Sequence, residues 1–439
     1  MLLEAQDGAF VRTGVPIQSP APMPTSSLSR HAFLRLGLAA LPGLALSART
    51  VRAQAPVDPA RRERIADVFR MYHLLGSHRT GTGPDHETAE WLTGEASTRG
   101  GAATPHAFSF TRVALRATFV ESAGTRREGV PFFDAGFTTA DGVRGRLGAP
   151  GSGAPIVLVR LDQAAISSEG RSIQALRRDP SVKAIVAITD GGMPGLCPSN
   201  AADFEHPYGV PVVQVSSTAR EWLESVAQAG TDLRLVVDAS RTPGEATNIL
   251  ATVTGTQPTL PPVVVITPRS GWYQCVSERG GGLAIWLEMI GAVAQARPAR
   301  TVRFVASSGH ELGHLGLDRY IAENASLVKG ASAWVHLGAN IGANEGRLRL
   351  QSSSDDIEAM AVSALAQAGA RLDARVPRGT VPSGEARNIH TGGGRYVSML
   401  GSSAYFHNPF DLWPQAVDLD AVVRYADAGT ALLLQLARG

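Results

Sequence analysis

The chain has 439 residues, 44% of them hydrophobic and 18% charged, with only two cysteines. This composition belongs to a globular protein too long for one ordinary core, and it excludes a disulfide framework. The formal charge of +2 owes its sign to the N-terminus: removing the five arginines and two acids of residues 1–55 leaves 36 bases against 37 acids, so no basic field for nucleic acid survives.

The first 55 residues read as an address. Leu36–Ala48 is an apolar stretch preceded by Arg30 and Arg35, and Ala53-Gln54-Ala55 is a small-x-small cleavage site. Ser29–Leu34 is similar to a twin-arginine export signal with His31 in place of the second arginine, which leaves Tat and Sec export both open. The mature chain is therefore expected to be periplasmic or secreted. No later apolar run is long enough to span a bilayer.

Helical spacing follows at Pro59–Leu75 and Asp85–Ser97, separated by the loop GSHRTGTG, and Ala107–Ala117 reads as a strand. Residues 118–245 then alternate on their own. Strands are predicted at Ala154–Arg160, Val182–Thr189, Pro211–Val215 and Asp232–Asp238, with helices at Ser168–Arg178 and Thr218–Ala229. Arg241–Gly244, RTPG, reads as a linker. Beyond it come strands at Asn248–Thr254 and Pro262–Thr267 and a helix at Gly282–Ala296. The strand Thr301–Ser307 leads into Ser308-Gly309-His310-Glu311-Leu312-Gly313-His314, and the helix Leu315–Asn324 follows. Strands at Ser332–Leu337, Arg347–Gln351 and Tyr396–Leu400 and helices at Asp355–Ala370 and Val417–Leu436 complete the reading. The His/Glu-rich loop thus falls at the carboxyl end of a strand, where open α/β sheets hold their ligands.

Four stretches carry a resemblance. Asn248–Gly255 and Pro262–Ile266 resemble the strands that lead to the first metal ligand of the M28 zinc aminopeptidases. Arg303–Tyr320 resembles that family's "FVFFGAEEEGLLGSRAY" segment, with Phe304, Val305, Glu311, Gly313, Leu315, Gly316 and Tyr320 in register. Tyr405–Asp411 resembles its "YYHTPAD" ending. The resemblance implies an α/β, phosphorylase/hydrolase-like mixed sheet sandwiched by helices. It also implies that residues 118–245 are an inserted small α/β protease-associated (PA) domain, flanked by 56–117 and 246–439 of the catalytic domain.

Carried over residue by residue, the family's metal ligands are only partly present. The first histidine, of an "HxD" pattern, falls on Pro268, and the later aspartate falls on Gly338. The bridging carboxylate falls on Glu278, the retained glutamate on Glu311 and the final histidine on His407. The general-base glutamate falls on His310. The resemblance therefore implies one zinc ion rather than two, held by Glu278, Glu311 and His407, with His310 as the base, whose ordinary pKa suits that work near neutral pH. His336 and His314 are further candidate ligands.

His310–His314 also matches HExxH, a zincin signature that needs a helix. Gly309, Gly313 and Gly316 speak against a continuous helix, so the match is read as accidental. Glu385 and His390 read as a polar loop beside the cleft, and Cys275 as a small buried hydrophobe or thiol ligand. The implied function is an exported, zinc-dependent aminopeptidase acting on a peptide or protein substrate. The alternative is an inactive relative that binds a peptide or other ligand.

Overall fold

The computed structural model describes residues 56–439. The expected leader lies outside the described residues. Along the Val263–Pro268 strand, Val263 and Val265 enter one apolar cluster while Val264 and Ile266 enter another. Successive side chains of a strand point to opposite faces, so this run is covered on both sides. One face carries Pro59–Leu74, Gly281–Ala296, Asp355–Gln367 and Leu419–Leu436; the other carries Leu315–Glu323 and Ala386–Thr391.

The sheet is mixed. Val302–Ser307, Val263–Pro268, Ala333–Leu337 and Tyr396–Leu400 are adjacent and parallel, and Arg349–Ser352 joins Tyr396–Leu400 antiparallel. The four parallel strands all deliver their following loops to one edge, which fixes where a site can be built. On the opposite flank lies a long antiparallel pair, Ala102–Ser122 with Asp232–Val253. Val143–Gly148 pairs with the far end of that long strand and also with Ile156–Asp162, so the sheet continues through Ala184–Asp190 and Val212–Ser216 to Val130–Pro131. The fold is thus the expected mixed α/β sheet flanked by helices.

Two sequence expectations fail locally. Arg241–Gly244 is not a linker: it lies inside the Asp232–Val253 strand, with Thr111 opposite Pro243 and Phe110 opposite Gly244. Val302–Ser307 and Val143–Gly148 pair only with the two ends of this strand, so its middle has one open edge. A proline is tolerated there because no ladder partner on that side needs its N–H. Ser168–Arg178 is not one helix either. Only a turn at Arg171–Ile173 and the short Gln174–Arg177 helix form there, after a separate Gln163–Ile166 helix, because Glu169 and Gly170 take positive φ values of 57° and 70°.

Candidate active site

The sequence SSGHELGH folds as two glycine hinges around a single tight turn. Gly309 and Gly313 have φ of 84° and 83°, bracketing a 3₁₀ turn at His310–Leu312, and His314 follows at φ 72°. Glycine takes these angles without steric cost; His314 does not. The Leu315–Glu323 helix starts only after His314, so HExxH is not on a helix. The hinges turn Glu311 and its two flanking histidines apart. Glu311 points into the scaffold, where Oε1 accepts from the Thr80 N–H at 2.6 Å and Oε2 from the Ser270 hydroxyl at 2.8 Å. Burial raises its pKa, and the bonds from Thr80 and Ser270 oppose that rise only in part.

His310 and His314 face the other way, with ring centroids 5.1 Å apart. Glu385, just before the Ala386–Thr391 helix, joins them: its Oε1 is 2.6 Å from His310 Nδ1. Among the described residues, His310, His314 and Glu385 form a group whose ligand atoms lie within 4.8 Å of one another, and all three are buried. His314 is oriented by Asn388, whose Oδ1 is 2.8 Å from Nδ1, and Asn388 is in turn held by Asp318. His336 reaches the group from the Ala333–Leu337 strand, with Nε2 3.3 Å from Glu385 Oε2 and Nδ1 2.8 Å from Ser398. Burial, followed by the nearby Arg279 guanidinium, lowers the His310 pKa to about 4, against the opposing pull of Glu385. Burial disfavours the Glu385 carboxylate, but the surrounding histidines outweigh it and hold its pKa well below the usual range.

This group opens on a cavity of about 800 Å³ that reaches across to Gln163–Arg171 and Asn200. Eight non-glycine residues have positive φ among the described residues, and four of them, Glu169, His314, Asn340 and His407, line this cavity. Such conformations cost about 1–3 kcal/mol each and persist only where the surroundings over-determine them.

The second cluster is finished differently. Glu278 and Arg279 are fully buried, with Arg279 Nη2 2.6 Å from Glu278 Oε1 and Arg279 Nε donating to the Ser270 carbonyl. His407 presents Nε2 to the same carboxylate oxygen at 3.4 Å, and its Nδ1 lies 2.6 Å from the Pro198 carbonyl. Burial raises the Glu278 pKa, but Arg279 and then His407 overcome this and bring it down to about 2. The Glu278 and His407 atoms that face each other make no aligned hydrogen bond, nor do either of the Arg279 Nη atoms.

A cation shared by Glu278, Glu311 and His407 does not fit these residues. Both oxygens of Glu311 are engaged elsewhere, and Glu278 already faces a permanent positive charge. The donor group within 4.8 Å is His310, His314 and Glu385, not this expected trio. His310 and Glu311, neighbours in the sequence and both expected at the metal, separate to opposite sides of the turn. Neither Pro268 nor Gly338, on which the resemblance places two further ligands, has a side chain that can bind a metal. Pro268 ends its strand, and a Cβ at Gly338 would meet Leu400 Cδ1 at 2.6 Å and His336 Cε1 at 2.8 Å. Arg269, the other base near this point, is paired with Asp85 at 2.7 Å inside the core. Cys275 lies 3.4 Å from the Tyr72 hydroxyl, burial raises its thiol pKa, and it is not part of the donor group. Both cysteines are free.

The donors at His310, His314 and Glu385 do fit zinc. Two imidazoles and a carboxylate are a usual zinc set, and a ligating histidine must be neutral, as the lowered His310 pKa provides. Buried Glu385 Oε2 and His336 Nε2, both without a hydrogen-bond partner, are the orphaned polar atoms that a bound group would satisfy. Glu385 and Arg279 are the site residues that sequence reasoning missed in these roles. Glu385 lay in an unpatterned polar stretch; Arg279 looked like a surface partner of Glu278. The signal for Arg279 was its place beside the glycine run that opens a mostly apolar helix.

No protein-family model matches this sequence, and no curated protein matches it either. Solved structures do match. The zinc aminopeptidase BSAP from Bacillus subtilis superposes with a TM-score of 0.71 at 16% identity, covering 88% of this chain and 97% of its own. A peptidase M28 precursor from Shewanella amazonensis gives 0.67 at 14% identity, over 87% and 97% of the two chains. An aminopeptidase from Aneurinibacillus sp. strain AM-1 gives 0.64 at 14% identity, over 86% and 94%. At these identities the likeness establishes the fold, end to end. Among the described residues, no helix is long and apolar enough to cross a membrane.

Proposed function

We propose that this protein is an exported hydrolase of the M28 type that cleaves a peptide or related amide, with one zinc ion held by His310, His314 and Glu385. The observation that carries this reading is the buried His/His/Glu group opening on an 800 Å³ cavity at the edge where the parallel strands end. The full-length likeness to zinc aminopeptidases supports the reaction class. Residues 118–245 are proposed as the inserted PA unit that forms the opposite wall of the cavity.

Zinc bound there supplies Lewis-acid polarisation of a carbonyl and a water acidic enough to react near neutral pH. The chain's own residues do the rest. Asn388 fixes the His314 ring, leaving Nε2 for a ligand. Glu385 holds His310 on one side and faces His336 on the other, so that one carboxylate sets two imidazoles. His336 faces the free Glu385 oxygen from the Ala333–Leu337 strand, with its ring turned by Ser398. The Glu278–Arg279 pair keeps a fixed positive charge close by, which disfavours protonation of His310.

The second reading is a metal-free binding protein on the same scaffold. The buried Arg279 beside Glu278, where the resemblance implies a metal ion, favours it. The mature protein should be purified, its bound metal counted, and a set of free and N-blocked peptides assayed with and without chelator. One zinc per chain, lost in both His314→Ala and Glu385→Ala, together with chelator-sensitive turnover, supports the hydrolase. No metal and no turnover leaves the binding reading.

A further inference from the structure

The charges lining the cavity are unbalanced. Two carboxylates line it, and neither is open to a ligand's positive charge. Glu385 sits between His310 and His336. Glu169 is 2.6 Å from Arg171 and receives both of its contacts from Arg387 at 3.0 and 3.1 Å. Three arginines line the same space. Arg171 and Arg387 share Glu169, but Arg349, exposed at the start of the Arg349–Ser352 strand, has no acidic partner among the described residues.

A ligand's ammonium group would therefore find no available carboxylate and would have to compete with arginines for Glu169. A carboxylate would find Arg349 unopposed, and a guanidinium recognises a carboxylate with two parallel hydrogen bonds. A second feature narrows the ligand further. Asn340, also in the lining, is 5% exposed, and its Oδ1 is buried without a hydrogen-bond partner. It is an acceptor suited to a peptide N–H, and it is held at φ 60°.

We propose that the cavity takes the carboxyl-terminal part of an N-acylated amino acid or peptide, with Arg349 pairing its free carboxylate and Asn340 Oδ1 accepting the adjoining amide N–H. This rests on the hydrolase reading only for what happens next. Water adds across the amide, its hydroxyl going to the acyl carbon and its proton to the departing amine, so an amino acid or shorter peptide is released. The enzyme would then act from the carboxyl end, unlike an aminopeptidase.

Titration calorimetry with the purified mature protein tests this through binding. The probes are N-acetyl-Ala-Ala, its carboxamide, and Ala-Ala-amide with a free amine. The acid should bind about tenfold or more tightly than its carboxamide, Arg349→Gln should erase that difference, and Arg349→Lys should keep part of it. Arg349 is exposed, so both variants should keep the wild-type melting temperature. Equal binding of acid and carboxamide, or preference for the free amine, overturns the proposal. Carboxylate-dependent binding without any hydrolysis would sink the hydrolase reading and leave this one standing. Chelator-sensitive cleavage of aminoacyl anilides that ignores Arg349→Gln would do the reverse.

Discussion

Two clusters of buried ionisable groups stand at the same edge of the sheet, and one is closed while the other is open. Around Glu278 and His407 the positive charge is part of the chain, supplied by Arg279. Around Glu385 the partners are histidines, whose imidazoles can bind a metal or exchange a proton. A guanidinium cannot be lost, exchanged or chelated, so the first cluster is fixed at the moment of folding. The second brings the donor atoms of His310, His314 and Glu385 within 4.8 Å of one another with no arginine among the described residues ion-paired to Glu385, so it still has something to bind. The difference teaches that one sheet edge can hold a carboxylate neutralised from within and, beside it, a donor group that is not. The charge that stabilises the carboxylate can be internalised while reactive groups gather a few residues away.

The comparison breaks most easily at Arg279. Arg279→Ala leaves Glu278 buried beside His407 alone, which should cost about 3–5 kcal/mol of stability in denaturant titration. Zinc should raise the melting temperature of this variant by binding the freed Glu278 and His407, in a background where His314→Ala has removed the other donor group. The His314→Ala protein with Arg279 intact should show no zinc-dependent rise. A rise there would mean that the guanidinium does not exclude a cation. Next in size is Glu385→Gln, which keeps the shape and removes the charge between His310 and His336. It should lower kcat/KM by roughly 100-fold and reduce bound zinc in step. Full activity in this variant would remove the open cluster from the chemistry.

Acid titration separates the clusters by pH. His310 has a folded pKa of about 4, below the ordinary value of 6.5, so the unfolded chain binds its proton first and this stability is lost as pH falls from 6.5 through 4. Glu278 has a folded pKa of about 2 against an ordinary 4.5, so its contribution is present above 4.5 and is lost as pH falls through 2. In chelator-treated, metal-free protein, imidazole resonances followed by NMR should place His310 near 4, and Arg279→Met should move it upward by removing a neighbouring positive charge. A His310 midpoint near 6.5 in the wild type would mean that the open cluster is neither as buried nor as close to Arg279 as its geometry requires.

Much of the scaffold was legible in the sequence because its strands are buried on both faces and its helices carry strong apolar spacing. Tyr396–Leu400 and the helix after His314 could be read nearly to the residue. RTPG misled because turn residues signal a break only where a third strand would have needed their N–H groups. The site was legible in its residue types but not in their directions. His310, His314 and His336 were named as candidates and do meet, yet through Glu385, which lies 75 residues beyond His310 and in no motif. Nothing in one sequence announces a contact of that range. Glu311 shows the converse: it sits inside a motif, yet the turn between two positive-φ glycines leaves both its oxygens bonded to Thr80 and Ser270.

Glu311→Gln therefore gives the smallest expected effect on chemistry and the sharpest contrast with the motif. Ser270 Oγ already accepts the N–H groups of Gly309 and His310, at 2.9 and 3.1 Å, and its own proton goes to Glu311. The Thr80 N–H takes the other carboxylate oxygen. A glutamine has one oxygen for these two donors, so in either orientation its amide N–H meets a donor and one buried bond is lost. The cost should be about 1–3 kcal/mol of stability. The folded fraction should keep kcat/KM within about tenfold, since a general base would be worth roughly 10²–10⁴. Unchanged stability with activity lost a thousandfold would place Glu311 in the reaction and return the site to the arrangement that its motif suggests.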